Sequence, residues 1–189
     1  MCHAPPSSPL RSGGDIAILA DVNHTGIIVY PGTFDPLTLG HLDLLQRAAG
    51  LFDSVILGVA AGTGKATAMF SCEERIAIAQ EVIADCPNVT VRRMDGMLID
   101  FVRQVGAQVI LRGLRVYSDF EYEFQMALTN RKLAPEIETL FMMPKEDLSY
   151  ISSSTVREVA RYAGDTSRFV PATVQRYIER RVVTDRLSL

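Results

Sequence analysis

Short apolar runs alternate with segments in which apolar residues recur every three or four positions. The runs are rich in β-branched residues, as in strands that are buried on both faces. They predict five strands, over residues 27–30, 54–60, 89–92, 109–111 and 138–142. Strand and helix alternate throughout, which is typical of a parallel sheet covered by helices. The sequence therefore predicts an α/β fold: a Rossmann-like, doubly wound parallel sheet of about five strands with helices on both faces.

Helix signals fill the segments between these strands. Ser71 and Glu74 have the spacing of a capping box and predict a helix to about residue 84. Asp119 is predicted to cap a helix to about residue 132, and Pro171 to begin a last helix to about residue 182. Two more helices are predicted, over residues 98–105 and from Ser153 or Ser154 to about residue 163.

The stretch from residue 26 to residue 41 combines a strand, a turn and a helix start. Pro31-Gly32 and Asp35-Pro36 predict a loop after the strand, and helical spacing returns beyond Thr38. Gly40 and His41 therefore fall in the first helical turn, where backbone N–H groups lack intrahelical partners and attract anions. The stretch predicts a phosphate site.

The residue types at this helix start suit a phosphate. Gly40 allows a ligand to approach the backbone, and His41 can donate a hydrogen bond to a phosphate oxygen. Thr33 adds a hydroxyl at the carboxyl edge of the sheet, where open α/β sheets bind ligands. Alternatively, His41 shares a helical face with Leu44 and is a histidine at the edge of the core. This motif alone supports the two interpretations about equally.

Composition limits the classes of function. The 189 residues suit one domain, predicted over residues 26–189, preceded by a flexible extension over residues 1–25 that contains several Pro, Ser and Gly residues. The net charge of −3 argues against nucleic-acid or anionic-membrane binding. The three cysteines are scattered, so neither a structural metal nor a disulfide framework is expected. The apolar stretch 16–20 is too short for a membrane span or signal peptide, and we expect a cytoplasmic protein.

A lysine and a pair of arginines are candidate phosphate ligands. Residues 62–65 resemble part of a nucleotide-binding P-loop, but Val59 and Ala66 occupy positions that require Gly and Ser or Thr. Lys65 is therefore a single candidate cation, and spacing alone favours a solvated loop lysine by about two to one. Arg112 and Arg115 flank Gly113 directly after a strand, and guanidinium groups suit phosphate oxygens. The alternative, ion pairs with Asp119, Glu121 or Glu123, is compatible with this role.

A run of hydroxyl side chains precedes the helix predicted near residue 153. One serine suffices for an N-cap, but Ser152, Ser153 and Ser154 beside unpaired N–H groups suggest a second anion site. Thr33, Lys65, Arg112 and these serines each follow a predicted strand. We therefore expect them to converge on one crevice at the carboxyl edge of the sheet.

The motifs together resemble a known family. Thr38-Leu39-Gly40-His41 matches the T/H-x-G-H motif of nucleotidyltransferases, and three further matches follow in order: LRGLR at 111–115, DFEYE at 119–123 with QMA at 125–127 and Asn130, and ISSS at 151–154. The chain after residue 25 is similar to the bacterial pantetheine-phosphate adenylyltransferases. The resemblance implies transfer of AMP from ATP to 4′-phosphopantetheine, with Mg²⁺ as cofactor, in a homo-oligomer that is typically a hexamer.

The resemblance also implies roles for individual residues. The catalytic residues would be His41, Lys65 and Arg112, and the acceptor-binding residues Thr33, Lys65, Leu98 and Arg112. The ATP-binding residues would be Thr33, Phe34, His41, Gly113, Leu114, Arg115, Glu123, Leu148, Ser149, Tyr150, Ile151, Ser152, Ser153 and Ser154. Residues 66–69 depart from the shorter, proline-containing stretch that is common in the family.

Two other functions are compatible with these motifs. The first is adenylyl or cytidylyl transfer to another small phosphate, such as nicotinamide mononucleotide or glycerol phosphate. The second is a non-catalytic ATP-binding module on the same fold. The segments 112–123 and 151–154 favour the pantetheine branch.

Overall fold

The computed structural model describes residues 26–62 and 68–187, and it contains the predicted parallel sheet. Five strands pair in the order β3-β2-β1-β4-β5, and all four pairings are parallel. Their bounds are Ile27–Gly32 for β1, Ser54–Ala60 for β2, Val89–Met94 for β3, Val109–Gly113 for β4 and Glu138–Met142 for β5. The predicted extension over residues 1–25 and Lys65 lie outside the described residues.

Three strands run further than the apolar pattern predicts. Pro31 and Gly32 were expected to begin a loop, but they are the last residues of β1 and pair with Gly58 and Val59. The loop prediction was wrong there because ladder pairing with β2 continues where the apolar run stops. Similarly, β3 continues to Met94, and β4 continues through Arg112 to Gly113. The longer strands carry these residues to the carboxyl edge of the sheet.

In the part of the chain that the structure describes, six α-helices connect or follow the strands. Their bounds are Leu39–Ala49 for α1, Cys72–Val82 for α2, Leu98–Gln104 for α3, Tyr117–Leu133 for α4, Ser153–Arg161 for α5 and Ala172–Leu187 for α6, with a 3₁₀ turn at Glu146–Leu148. The capping box of α2 is present, with mutual hydrogen bonds between Ser71 and Glu74. Asp119 does not cap α4, because the helix already begins after Val116 and the Asp119 carboxylate accepts from Arg115.

The strand order creates a crevice beside the central strand. The chain proceeds from β1 outward to β2 and β3, and then returns to place β4 on the other side of β1. The connections that follow β1 and β4 therefore leave the sheet beside each other. In open α/β sheets, ligands bind at such a switch point, outside the carboxyl ends of the strands.

Helices cover both faces of the sheet, as predicted. On one face, Ile28 and Leu57 belong to an apolar cluster that includes residues of α1, α2, α5 and α6. On the other face, Val29, Ile56 and Ile110 pack with residues of α3 and with Ile137. Within residues 26–62 and 68–187, no helix is both long and apolar enough to span a membrane.

The stability of this fold depends on close packing of the central strands. Leu57 of β2 is fully buried, so Leu57→Ala should leave a cavity and lower the free energy of unfolding by about 2–5 kcal/mol. Leu51, which is 57% exposed, offers a matched control. Leu51→Ala should change the free energy of unfolding by at most about 0.5 kcal/mol. Urea unfolding measures both values, and equal effects would contradict the assigned core.

Candidate active site

A cavity of about 410 Å³ opens where β1 and β4 end and where α1 and α5 begin. It contains many of the residues predicted from the sequence: Thr33, Phe34, His41, Arg112, Gly113, Arg115, Glu123, Ile151, Ser152, Ser153 and Ser154. Residues from both halves of the chain thus meet at one edge of the sheet. The expected convergence of Thr33, Arg112 and the serines is present in the structure.

Five other predicted residues do not line this cavity. Leu98 begins α3 and packs beside the apolar cluster on the face of the sheet opposite α1 and α5. Tyr150 is largely exposed and its ring contacts Phe169 edge-on. Leu114, Leu148 and Ser149 are also absent from the cavity lining. Their assigned contacts with substrate stay predictions, as does that of Lys65, which lies outside the described residues.

The first turn of α1 holds the imidazole of His41 by a reciprocal capping box. The Thr38 N–H donates to His41 Nδ1 over 3.0 Å, and the His41 N–H donates to Thr38 Oγ1 over 3.3 Å. Because a backbone N–H can only donate, Nδ1 must be an unprotonated acceptor. In the neutral ring the proton therefore resides on Nε2, which can donate a hydrogen bond to a ligand.

Aromatic rings surround this imidazole. The centroid of the His41 ring lies 5.1 Å from that of Phe34 and 6.4 Å from that of Tyr30. Burial, with a smaller contribution from the positive charge of Arg115, lowers the pKa of His41 to about 4. The imidazole is therefore neutral at pH 7. His41 lies at the edge of the core and also lines the cavity, so its position is compatible with both interpretations of the sequence.

The turn that carries Phe34 has an unusual backbone. Phe34 has a φ of 51°, in the left-handed region that non-glycine residues rarely adopt. Its ring lies against Gly32, where an added Cβ would be only 2.7 Å from the ring carbon Cζ. The missing side chain of Gly32 therefore makes room for the ring that packs on His41.

Gly40 has a packing role beside its predicted role in ligand approach. A Cβ at Gly40 would meet the carbonyl oxygen of Leu148 at 3.4 Å. The absence of a side chain thus lets the 3₁₀ turn at Glu146–Leu148 lie close to the start of α1. Gly40 also lines the cavity.

Both arginines of the LRGLR segment are held by carboxylates of α4. Arg112 donates from Nε and Nη2 to the two carboxylate oxygens of Glu123, each over 2.6 Å, and from Nη1 to the Pro31 carbonyl over 3.2 Å. Burial opposes the charged form of Arg112, but the hydrogen bonds and charge of Glu123 outweigh it and raise the pKa of Arg112. Arg115 pairs in the same way with Asp119. The two cations are therefore oriented at the cavity wall.

The three serines at the start of α5 have different partners. Ser152 is the N-cap, because its Oγ accepts from the Thr155 N–H over 3.0 Å. Ser153 donates to the carbonyl of Pro36 over 2.9 Å and so ties α5 to the loop after β1. Ser154 Oγ accepts from Arg157 over 3.2 Å. One serine suffices for the cap, Ser153 joins this helix start to the loop after β1, and the Ser154 bond lies within α5.

Several residues of the site were missed by sequence reasoning. Asp35 is 3% exposed, and its carboxylate accepts from the N–H groups of Met69 and Phe70. Arg75 is 2% exposed and donates to backbone carbonyls. Tyr30 lines the cavity, and burial raises the pKa of its phenol, which keeps it neutral. The one available signal was helical spacing, which places Arg75 on the same face of α2 as Ile78 and Ala79.

Comparison with known proteins places the chain in a family. Residues 29–159 match the family model described as cytidylyltransferase-like. A phosphopantetheine adenylyltransferase from Azoarcus sp. (strain BH72) is 53% identical over 161 residues, which cover 85% of this chain and 98% of the relative. The chain belongs to the phosphopantetheine adenylyltransferase family. It is therefore a nucleotidyltransferase, and the resemblance inferred from the motifs is confirmed.

Other matches agree with this membership. The phosphopantetheine adenylyltransferase from Aromatoleum aromaticum is 53% identical over 156 residues, with 82% of this chain and 95% of the relative covered. Among solved structures, Plasmodium falciparum nicotinic acid mononucleotide adenylyltransferase has a TM-score of 0.62 at 14% identity, over 84% of this chain and 97% of that one. A bifunctional NMN adenylyltransferase/ADP-ribose pyrophosphatase from Francisella tularensis has a TM-score of 0.64 at 14% identity, covering 84% and 51%. These structures share the fold of this chain.

The environment of His41 predicts an unusual titration. Its ring protons should report a pKa of about 4 in the folded protein, whereas a solvated histidine titrates near 6.5. Titration followed by ¹H NMR measures this value, and His41→Gln identifies the resonances by their loss. A value near 6.5 in the folded protein would contradict the assigned burial and hydrogen bonding.

The same shift has a consequence for stability. Between pH 6.5 and about 4 the unfolded chain binds a proton at His41 that the folded chain does not bind. The wild type should therefore lose more stability on acidification through this interval than His41→Gln. Urea unfolding of both proteins at about pH 7.5 and about pH 5 tests this, and equal losses would contradict it.

Proposed function

We propose that the chain transfers the adenylyl group of ATP to 4′-phosphopantetheine, forming dephospho-coenzyme A and pyrophosphate in coenzyme A biosynthesis. The observation that carries this proposal is the 53% identity with a phosphopantetheine adenylyltransferase over 98% of that relative. The cavity supports it with two helix starts, two arginines and a histidine donor at one edge of the sheet.

The reaction needs little from a protein base. The phosphate of 4′-phosphopantetheine is an anionic nucleophile at neutral pH, so its oxygen can attack the α-phosphorus of ATP directly. The new P–O bond forms as the bond between the α-phosphorus and the bridging oxygen breaks, and pyrophosphate departs. Catalysis then rests on in-line positioning and on stabilising charge in the transition state.

The described side chains suit that task. His41 would donate from Nε2 to the transferring phosphoryl group as a neutral imidazole, without adding a positive charge. Arg112 and Arg115 would supply the positive charge. We propose that Thr33, Lys65, Leu98 and Arg112 bind the acceptor. The start of α5 and the segment 148–154, with Gly113 to Arg115 and Glu123, would bind ATP.

We propose that Mg²⁺ is bound by the phosphates of the nucleotide and not by a set of protein ligands. Within the described ranges, no group of three or more His, Cys, Asp or Glu residues could hold a metal ion. Glu123 and Asp119 at the cavity wall are already paired with arginines. Mg²⁺ is usually held by substrate phosphates with few protein ligands, and it would offset the charge of the triphosphate.

The oligomeric state, the binding partners and the cellular location of the enzyme are also proposals. The apolar side chains of Phe120, Phe124 and Leu128 on α4, and of Phe141 on β5, are 36–50% exposed in this single chain. Such a surface suits a homo-oligomer, a hexamer by family resemblance. The net charge of −3 gives no reason to expect nucleic-acid binding, and we propose a cytoplasmic location.

Acceptor specificity tests the proposed function directly. The protein is mixed with ATP, Mg²⁺ and one acceptor at a time, and pyrophosphate release is measured with a coupled assay. We expect release with 4′-phosphopantetheine and none with nicotinamide mononucleotide or glycerol phosphate. Chelation of Mg²⁺ should stop release. Release with another acceptor alone, or ATP binding without turnover, would overturn the proposal.

Substitution of His41 separates its catalytic role from its capping role. His41→Ala removes both, whereas His41→Gln retains a residue type that completes a capping box at this position. We expect both variants to lower kcat by about 10²–10³, as for the loss of one transition-state donor. Only His41→Ala should also lose about 1 kcal/mol of stability.

Kinetics and thermal unfolding of the two variants measure these effects. If glutamine restored the wild-type kcat, His41 would be a capping residue only. If only KM rose in His41→Ala, the histidine would bind ground-state substrate and the assigned role would be wrong.

A further inference from the structure

A buried arginine beside the active site has no role in the chemistry proposed above. Arg75 of α2 is 2% exposed. All the partners that residues 26–62 and 68–187 offer its guanidinium are backbone carbonyls, those of Thr33 at 2.6 Å, Ala60 at 2.9 Å, Phe70 at 3.3 Å and Ala61 at 3.5 Å. Burying a cation against carbonyl dipoles is unfavourable unless its N–H groups are well matched. The reason for burying this arginine is therefore to be sought in the backbone segments that its guanidinium binds.

The bound carbonyls belong to segments at the carboxyl edge of the sheet. Thr33 directly follows β1, and Ala60 and Ala61 are at the end of β2. The planar guanidinium has donors in fixed directions, so it can join several acceptors in one geometry, which lysine cannot do. Arg75 thus links the ends of two neighbouring strands beyond their last ladder pair.

A second buried group completes this link. The carboxylate of Asp35 accepts from the N–H groups of Phe70 at 2.9 Å and Met69 at 3.0 Å. The backbone of Phe70 is therefore bound through its N–H by Asp35 and through its carbonyl by Arg75. Residues 33 and 35, on either side of Phe34, are both tied to this segment.

The turn held in this way contacts the catalytic histidine. Phe34 has the left-handed φ of 51°, a conformation that persists only where surrounding contacts hold it. Its ring packs against the His41 ring, and Thr33 lines the cavity. Release of the Thr33 carbonyl would therefore allow Thr33 and Phe34 to move relative to His41.

We propose that Arg75 is a positioning residue for adenylyl transfer, whose buried guanidinium holds the Thr33–Phe34 turn in place beside His41. This inference rests on the proposed function for its kinetic consequence. Its structural consequence, the environment of the His41 imidazole, is independent of turnover. Arg75 touches no reacting atom, and it acts through Thr33 and Phe34.

The test uses Arg75→Met, which removes every donor, and Arg75→Lys, which keeps the charge but not the fork of donors. Both should lower kcat by about 10–100-fold, the scale of a displacement of about 1 Å in an active site. KM for ATP should change less than kcat. In the same variants the NMR pKa of His41 should rise from about 4 toward 6.5.

Asn88→Ala is the matched control. Asn88 also donates to two backbone carbonyls, those of Ala49 at 2.8 Å and Phe52 at 3.0 Å, but at the amino edge of the sheet. Asn88→Ala should lower the melting temperature while leaving kcat and the pKa of His41 at their wild-type values.

The outcomes are distinct. Folded Arg75 variants with wild-type kcat and wild-type His41 pKa would show that Arg75 only stabilises the fold and would overturn the inference. If Arg75→Met does not fold, Arg75→Lys decides. If the wild type itself releases no pyrophosphate, the proposed function fails, and the pKa of His41 in the variants still tests the positioning role.

Discussion

All five strands run in the same direction, and this constraint brings the active site together. Parallel strands end at one edge, so residues that follow β1, β2 and β4 become neighbours although they are far apart in the chain. The reversal of strand order beside β1 then separates two connections and leaves a crevice between them. Thr33 and Arg112 reach one cavity for this reason, and Ser153 joins them through its hydrogen bond to the Pro36 carbonyl.

The polar groups of the cavity are bound to the protein before any ligand arrives. His41 is held through Nδ1 by the backbone of Thr38, and Arg112 by both oxygens of Glu123. Groups fixed in this way need little reorganisation when charge develops in a transition state. The same bonds also stabilise the fold locally. The capping bond uses Nδ1 of the imidazole, and the proposed catalytic role of His41 would use Nε2.

Buried polar side chains support the site from behind. Asp35 and Arg75 bind backbone groups of the segments that leave β1 and β2, and neither lines the cavity. Their hydrogen bonds allow a non-glycine residue to keep a left-handed φ at Phe34. The geometry around His41 thus depends on hydrogen bonds of Asp35 and Arg75, and both of these side chains are buried.

Local patterns in the sequence determined the number of strands, the bounds of β2 and β5, the capping box at Ser71 and the edge at which the site lies. Each depends on residues close together in the chain, whose spacing and type suffice to predict it. Only the tertiary structure decided that Glu123 binds Arg112, that Arg75 is buried, that burial lowers the pKa of His41, and that Leu98 lies away from the cavity. These features depend on packing and dielectric environment between distant segments, such as those of Thr33 and Arg75, which are 42 positions apart in the sequence. The spacing of residues along the chain gives no information about packing or about the dielectric environment.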